Sequence, residues 1–144
     1  MKIDIHAHTR KAKSGDARTR DISPGEFCER VLSTDVGIIA ITNHNLFDLE
    51  QYEQIREGLK DAAQAWPGVE LDILDGANRG HLLVIASPSK VEAFATAVFS
   101  LTGTVKPDVF AASVEQVIAA FEPLAPLYVA HYRQKKPNIS DGAL

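Results

Sequence analysis

Along this chain, short continuous apolar runs alternate with longer stretches of helical periodicity, the pattern of strands interleaved with helices. A first strand is expected near residues 2–6, followed by a polar loop. Ser23-Pro24-Gly25-Glu26 then supplies an N-cap, a proline at the first helical position and a capping-box glutamate, so a short helix should run to about Leu32. Val36–Ile41 reads as a buried strand by its length and β-branching. Tyr52, Ile55, Leu59, Ala62 and Trp66 fall at helical spacing, with Glu50, Glu53, Arg56, Glu57, Lys60 and Asp61 on the other face. This predicts a long amphipathic helix, stopped by Pro67-Gly68, whose apolar side is core.

Val69–Leu74 and His81–Ala86 read as two further strands. The link Asp75–Gly80 is too short for a crossover helix, so the pair should be antiparallel. In a plain hairpin Glu70 and His81 would then sit at opposite ends, and bringing them together needs an offset, a bulge or a folded-back loop. Ser89 and Glu92 form a capping-box pair opening a helix with Val91, Phe94, Ala95, Val98 and Phe99 inward. After a turn-rich connector at 103–108, Ser113 and Gln116 start another helix carrying Val117, Ile118 and Phe121. Pro123–Pro126 ends it, and Leu127–Ala130 forms the last strand, ending at His131. The class is α/β, with no internal repeat and no low-complexity tract.

Composition narrows this picture. At 144 residues the chain is one domain or a large piece of one. No stretch approaches the roughly 20 apolar residues of a membrane span, and Met1-Lys2-Ile3 leads into a strand instead of a signal peptide, so a cytoplasmic location is expected. The lone Cys28 allows no internal disulfide and is expected to be a buried structural residue. A net charge of −4 argues against bulk nucleic-acid affinity, yet Arg10, Lys11, Lys13, Arg18 and Arg20 face only Asp16 within residues 10–20. Such a loop suits a phosphorylated substrate, with Arg10, Lys11, Arg18 and Arg20 as candidate phosphate contacts. The alternative is an ordinary solvated basic loop.

The chemistry lies in the histidines. All five fall where a strand is expected to begin or end: His6 and His8 in KIDIHAHT, His44 in IIAITNHN, His81 in GHLLVIA and His131 in PLYVAHY. Imidazole is the commonest protein ligand for zinc and similar metals, and an H-x-H on an extended segment points both rings to one face. A polynuclear metal site at one rim of a sheet would produce this distribution. The competing explanation for His44 is a loop histidine satisfied beside Asn43 and Asn45, whereas His6, His8 and Glu70 are hard to explain as packing. Asp4 is expected to orient a ligand or brace the strand.

Taken together, IDIHAHT, AITNHN, PGVELDI, HLLVIA and VAHY resemble the successive motifs of the polymerase-and-histidinol-phosphatase (PHP) superfamily of metal-dependent phosphoesterases, in order over nearly the whole chain. The resemblance implies a partial, distorted (β/α)7 TIM-like barrel of about five strands with flanking helices, and a cluster of two or three divalent ions, Zn, Mn or Fe, at its rim. It implies His6 and His8 as ligands of a first metal, Glu70 as the bridging carboxylate, His81 and His131 as ligands of a second, and His44 as ligand of a third or outer site. His6, His8, Glu70, His81 and His131 would be the catalytic set. The implied activity is hydrolysis of a phosphate mono- or diester by hydroxide generated on the metals, with a phosphorylated small molecule or a nucleotide or nucleic-acid end as substrate.

Three departures bear on that reading. Asn43 stands where the family has Asp, removing a carboxylate expected to support His44. Tyr132, followed by Arg133, Lys135 and Lys136, stands where the family has Pro. The family's final Asp-x-His has no counterpart before Leu144, and Asp141 is not expected to replace it. Residues 1–144 are therefore read as a single PHP-like domain truncated before its last motif, completed either by a missing C-terminal segment or by another subunit, since an open apolar sheet edge invites pairing. The rival function is a non-catalytic metal-binding or scaffold module of a larger polymerase- or ATPase-linked protein.

Overall fold

The computed structural model describes residues 1–131. Its strands are β1 (Lys2–Ala7), β2 (Val36–Ile41), β3 (Gln64–Asp75), β4 (Asn78–Ile85), β5 (Ala112–Ser113) and β6 (Leu127–His131). Its α-helices are α1 (Pro24–Leu32), α2 (Leu49–Leu59), α3 (Val91–Thr102) and α4 (Val114–Phe121). The sheet runs β1-β2-β3-β4-β6, with β5 beside the end of β3. The β1–β2 and β2–β3 pairs are parallel, and β3–β4 and β4–β6 antiparallel. The sheet curls into a half barrel, the expected partial TIM-like architecture. Among the described residues no helix is long and apolar enough to cross a membrane.

Period-2 alternation sorts the two faces of the sheet. Val69, Leu71 and Ile73 of β3, with Leu82 and Val84 of β4, pack outward under Phe94, Val98, Val117 and Phe121 of α3 and α4. Ile39 and Ile41 of β2 pack with Phe27, Val31, Tyr52, Ile55 and Leu59 of α1 and α2. The opposite face carries a smaller apolar cluster, Ala40, Leu83 and Ile85 with Ile5, Trp66 and Val129 beside it. Glu70 and Asp72 alternate with the buried apolar residues of β3 and so project onto this second face. Cys28 is buried, its Sγ 3.4 Å from the Ile55 carbonyl oxygen, as expected of a structural cysteine.

Several sequence expectations need correction. The helix predicted to run to Trp66 ends at Leu59, where Lys60 takes a positive φ of 50°. Residues 64–67 instead pair in parallel with Ile38–Ile41, so strand pairing overrides their helical spacing. Pro67-Gly68 does not stop an element. It lies inside β3, at the point where the strand changes partner from β2 to β4. A Cβ on Gly68 would stand 2.8 Å from Thr42 Cγ2 and 3.0 Å from the Ile41 carbonyl oxygen, so the close approach of the two backbones requires glycine. Ser89 is not the cap of α3: a 3-10 turn at Pro88–Lys90 intervenes, and Ser87 accepts from the Ser89 amide. Phe99 is exposed, not inward. At α4 the expected capping box between Ser113 and Gln116 is present in both directions.

Candidate metal centre

The histidines reach one another through three local devices. At the end of β1, the pairing with β2 shifts between Asp4 and Ala7, an irregularity of the kind that re-aims side chains. Asp4 braces it by accepting from the His6 amide at 3.0 Å. Beyond β2, the backbone of residues 43–45 continues alongside β3: Glu70 N donates to Asn43 O and Asn45 N to Glu70 O, both at 2.9 Å, which sets His44 beside Glu70. Asn45 then turns the chain out at φ 52°, a conformation asparagine tolerates. Its amide grips Asp72, accepting from the Asp72 backbone N–H at 2.9 Å and donating to Oδ2 at 2.8 Å.

The third device is the hairpin. Its strands run further than the sequence reading allowed, closing on Gly76-Ala77, so His81 pairs with Asp72 and Glu70 with Leu83. Glu70 and His81 are therefore diagonal neighbours on one face, and no bulge or folded-back loop is needed.

The result is a carboxylate surrounded by imidazoles. Glu70 is 2% exposed. Its Oε1 lies 2.5 Å from His6 Nε2 and 3.4 Å from His8 Nε2, and its Oε2 lies 2.7 Å from His81 Nδ1 and 3.3 Å from His44 Nδ1. Two triads follow, His6–His8–Glu70 and His44–Glu70–His81, each with its ligand atoms within 4.8 Å of one another. One oxygen of Glu70 serves each triad, so the arrangement has capacity for one or two divalent ions.

The donor set fits such ions. Burial pushes the His44 imidazole down to about 4, outweighing the attraction of Glu70 and Asp16, so it is neutral near pH 7 as a metal ligand must be. Its Nδ1, turned toward Glu70 Oε2, is buried with no hydrogen-bond partner, an arrangement that costs free energy unless something is bound there. Burial works against the charged form of Glu70, but hydrogen bonds from His6, His8 and His81 outweigh it and hold the carboxyl well below the usual range. Burial likewise opposes charge on His81, but Asp72 and Glu70 outweigh it and raise its pKa. His81 Nε2 lies 2.8 Å from Asp72 Oδ1, leaving Nδ1 for the Glu70 side. A carboxylate behind a ligand histidine is the arrangement that orients the ring and raises its basicity.

Of the expected ligands, His6, His8, His44, Glu70 and His81 come together here, with His44 grouped with His81 instead of standing apart. For His131 the described backbone pairs with His81 across β4 and β6. The expectation for its side chain, and those for Tyr132, Arg133, Lys135, Lys136 and Asp141, lie outside the described residues. A cavity of about 220 Å³ opens over the centre, lined by His6, Lys13, Gly15, Asp16, Arg20, His44, Glu70 and His81. Of the four candidate phosphate contacts only Arg20 lines it. Arg10 is held by Asp48 at 2.7 Å, and Lys11 and Arg18 do not line it.

Two acids were missed by sequence reasoning. Asp16 had counted only as an offset to basic charge, yet its side chain is 6% exposed. It accepts from the Ala12 and Lys13 amides and from Arg20, and its Oδ1 lies 3.7 Å from His44 Nε2. Asp72 stands two residues beyond Glu70, a same-face spacing visible in the sequence. Asn43 does not support the His44 ring. Its Oδ1 accepts from the Thr9 and Arg10 amides at 2.8 and 3.0 Å, pinning the chain just after His8, and its Nδ2 donates to Thr9 Oγ1. The departure from Asp thus falls on a loop anchor.

No family model and no curated protein matches the chain. Among solved structures, the crystal structure of a putative metal-dependent phosphoesterase from Bifidobacterium adolescentis superposes with a TM-score of 0.68 at 13% identity, over 98% of this chain and 71% of that one. An amidohydrolase from Chromobacterium violaceum, with bound sulfate and no metal, matches at a TM-score of 0.49 and 20% identity over 69% of this chain and 32% of its own, too distant to carry an argument. At 13% identity the first likeness shows the fold alone, a partial and distorted TIM-like barrel.

Proposed function

We propose that the chain is a metal-dependent phosphoesterase of the PHP superfamily, hydrolysing a phosphate mono- or diester. The observation that carries this reading is Glu70, a buried carboxylate with one oxygen toward His6 and His8 and the other toward His44 and His81. Divalent ions held there, Zn, Mn or Fe by the mixture of imidazole and carboxylate donors, supply Lewis acidity and a nucleophile from water near neutral pH.

The chain's own residues do the rest. His6 and His8 would hold one ion and His44 and His81 the other, with Glu70 between them. Asp72 fixes the His81 ring. Arg20, tethered by Asp16 at 3.2 Å, and Lys13, tethered by Asp72 at 2.6 Å, line the cavity where the non-reacting phosphate oxygens would lie. There they can orient the ester and offset charge that builds up on it. His131, whose backbone pairs with that of His81, would complete a catalytic set with His6, His8, Glu70 and His81.

The test is elemental analysis of chain purified without a histidine tag, followed by hydrolysis of chromogenic phosphate mono- and diesters after loading with Mn²⁺ or Zn²⁺. The reading predicts hydrolysis that requires metal and is lost in His8→Ala. A chain that binds metal yet cleaves neither ester, with His8→Ala altering only stability, would favour the scaffold alternative.

A further inference from the structure

Beside the proposed centre lies a larger cleft of about 640 Å³, sharing Lys13 with the cavity over the centre and lined also by Asp72, the carboxylate behind His81, within the range of small-ligand pockets. Its apolar lining is Ile73, Leu74, Val109, Phe110 and Ala111. Its charges are unequally engaged. Asp72 is held by Lys13, Asn45 and His81, and Asp108 accepts from the Ser14 amide and hydroxyl at 2.7 and 3.0 Å. Lys13 is thereby committed to Asp72. Arg79, which also lines the cleft, is exposed and has no hydrogen bond or ion pair among the described residues.

The strand register places that guanidinium usefully. Arg79 pairs with Leu74 and His81 with Asp72, so Arg79, two residues before His81, lies on the same face of β4. Two residues of strand put their backbones about 6.6 Å apart. An ester with its phosphate at the centre would therefore extend its alcohol portion along the cleft toward Arg79, a cation without an ion-pair partner among the described residues. Among the described residues the one ring in the cleft, Phe110, is only 6% exposed and offers no face for stacking a base.

We infer that this cleft receives the alcohol portion of the substrate and that Arg79 binds a second anionic group on it. The substrate class is thus a small phosphate ester carrying a further phosphate or carboxylate, not a nucleic-acid end. This rests on the phosphoesterase reading, and the experiment separates the two. Binding to the Mn²⁺-loaded full chain is measured for two non-hydrolysable probes, propylphosphonate and propane-1,3-bisphosphonate, which differ only in the second anion. The bisphosphonate should bind about tenfold or more tightly, the scale of a charge-assisted guanidinium contact. Arg79→Gln should abolish that preference without changing propylphosphonate binding, and Arg79→Lys should retain part of it. Equal binding of the two probes, or a preference that survives Arg79→Gln, overturns the inference and leaves the phosphoesterase reading standing. If metal binds but neither probe does, the phosphoesterase reading fails and this inference fails with it.

Discussion

Replacing Glu70 with Gln preserves shape while removing the one charge common to both triads. Each triad has three side chains within ligand distance of one another, and Glu70 is the member they share. Loss of an outer partner behind a ligand typically weakens metal binding about 10–100-fold. Loss of the charge of a direct ligand should exceed that, so Glu70→Gln should cost more than about 2.8 kcal/mol per ion at 1.4 kcal/mol per decade. Because both oxygens are used, both ions should be affected. Asp72→Asn is the matched control. Asp72 touches His81 and neither His6 nor His8, so it should weaken one ion by the outer-partner factor and spare the other. Equilibrium dialysis against Mn²⁺ or Zn²⁺, read by elemental analysis, reports both stoichiometry and affinity, and far-UV circular dichroism confirms that each variant is folded. Wild-type stoichiometry and affinity in Glu70→Gln would refute the bridging role. A loss confined to one ion would show that the two triads are not joined through this carboxylate.

Three smaller perturbations test the scaffold. Asn43→Ala strands the Thr9 and Arg10 amides and should cost about 1–3 kcal/mol in urea unfolding, whereas Asn43→Asp, which keeps the acceptor, should cost less. Gly68→Ala drives a Cβ against Thr42 and the Ile41 carbonyl and should destabilise by about 1–3 kcal/mol, read as a lowered midpoint at unchanged m-value. Ser113→Ala removes the cap of α4, where Ser113 Oγ accepts from the Gln116 amide at 3.1 Å, and should cost about 0.5–2 kcal/mol in the same assay.

The fold was most legible where one local signal dominated. The run Val36–Ile41 has the same bounds in sequence and structure, and the N-cap serines Ser23 and Ser113 located the starts of α1 and α4 to the residue. Legibility failed where tertiary pairing overruled a local pattern. Ala62 and Trp66 kept helical spacing with α2, but the edge of β2 recruited residues 64–67 into a parallel strand before that spacing could be used. Pro-Gly reads as a stop because proline has no amide and glycine is flexible. At 67–68 it marks the point where a long strand changes partner, and only the neighbouring backbone, absent from any local window, reveals that.

The site shows the same division in a sharper form. Residue type and expected strand-end position sufficed to pick out His6, His8, His44, Glu70 and His81, although Glu70 and His81 lie inside β3 and β4 and not at their ends. Which of them fall into one triad depended on register. One misplaced turn, with the link taken as residues 75–80 when it is Gly76-Ala77, made Glu70 and His81 look like opposite ends of a hairpin when they are diagonal neighbours. The correct register accounts for more than that pair. It sets Asp72 opposite His81 and Arg79 two places nearer the turn, so that one alternation along two strands supplies the carboxylate between the triads, the acid beside an imidazole, and the guanidinium of the adjoining cleft. Asp16 follows no such rule. Its carboxylate reaches His44 only because the basic loop folds back over the rim, with the Ala12 and Lys13 amides and Arg20 all bound to that one side chain. Net charge, by which the loop was first read, says nothing about where its single acid points.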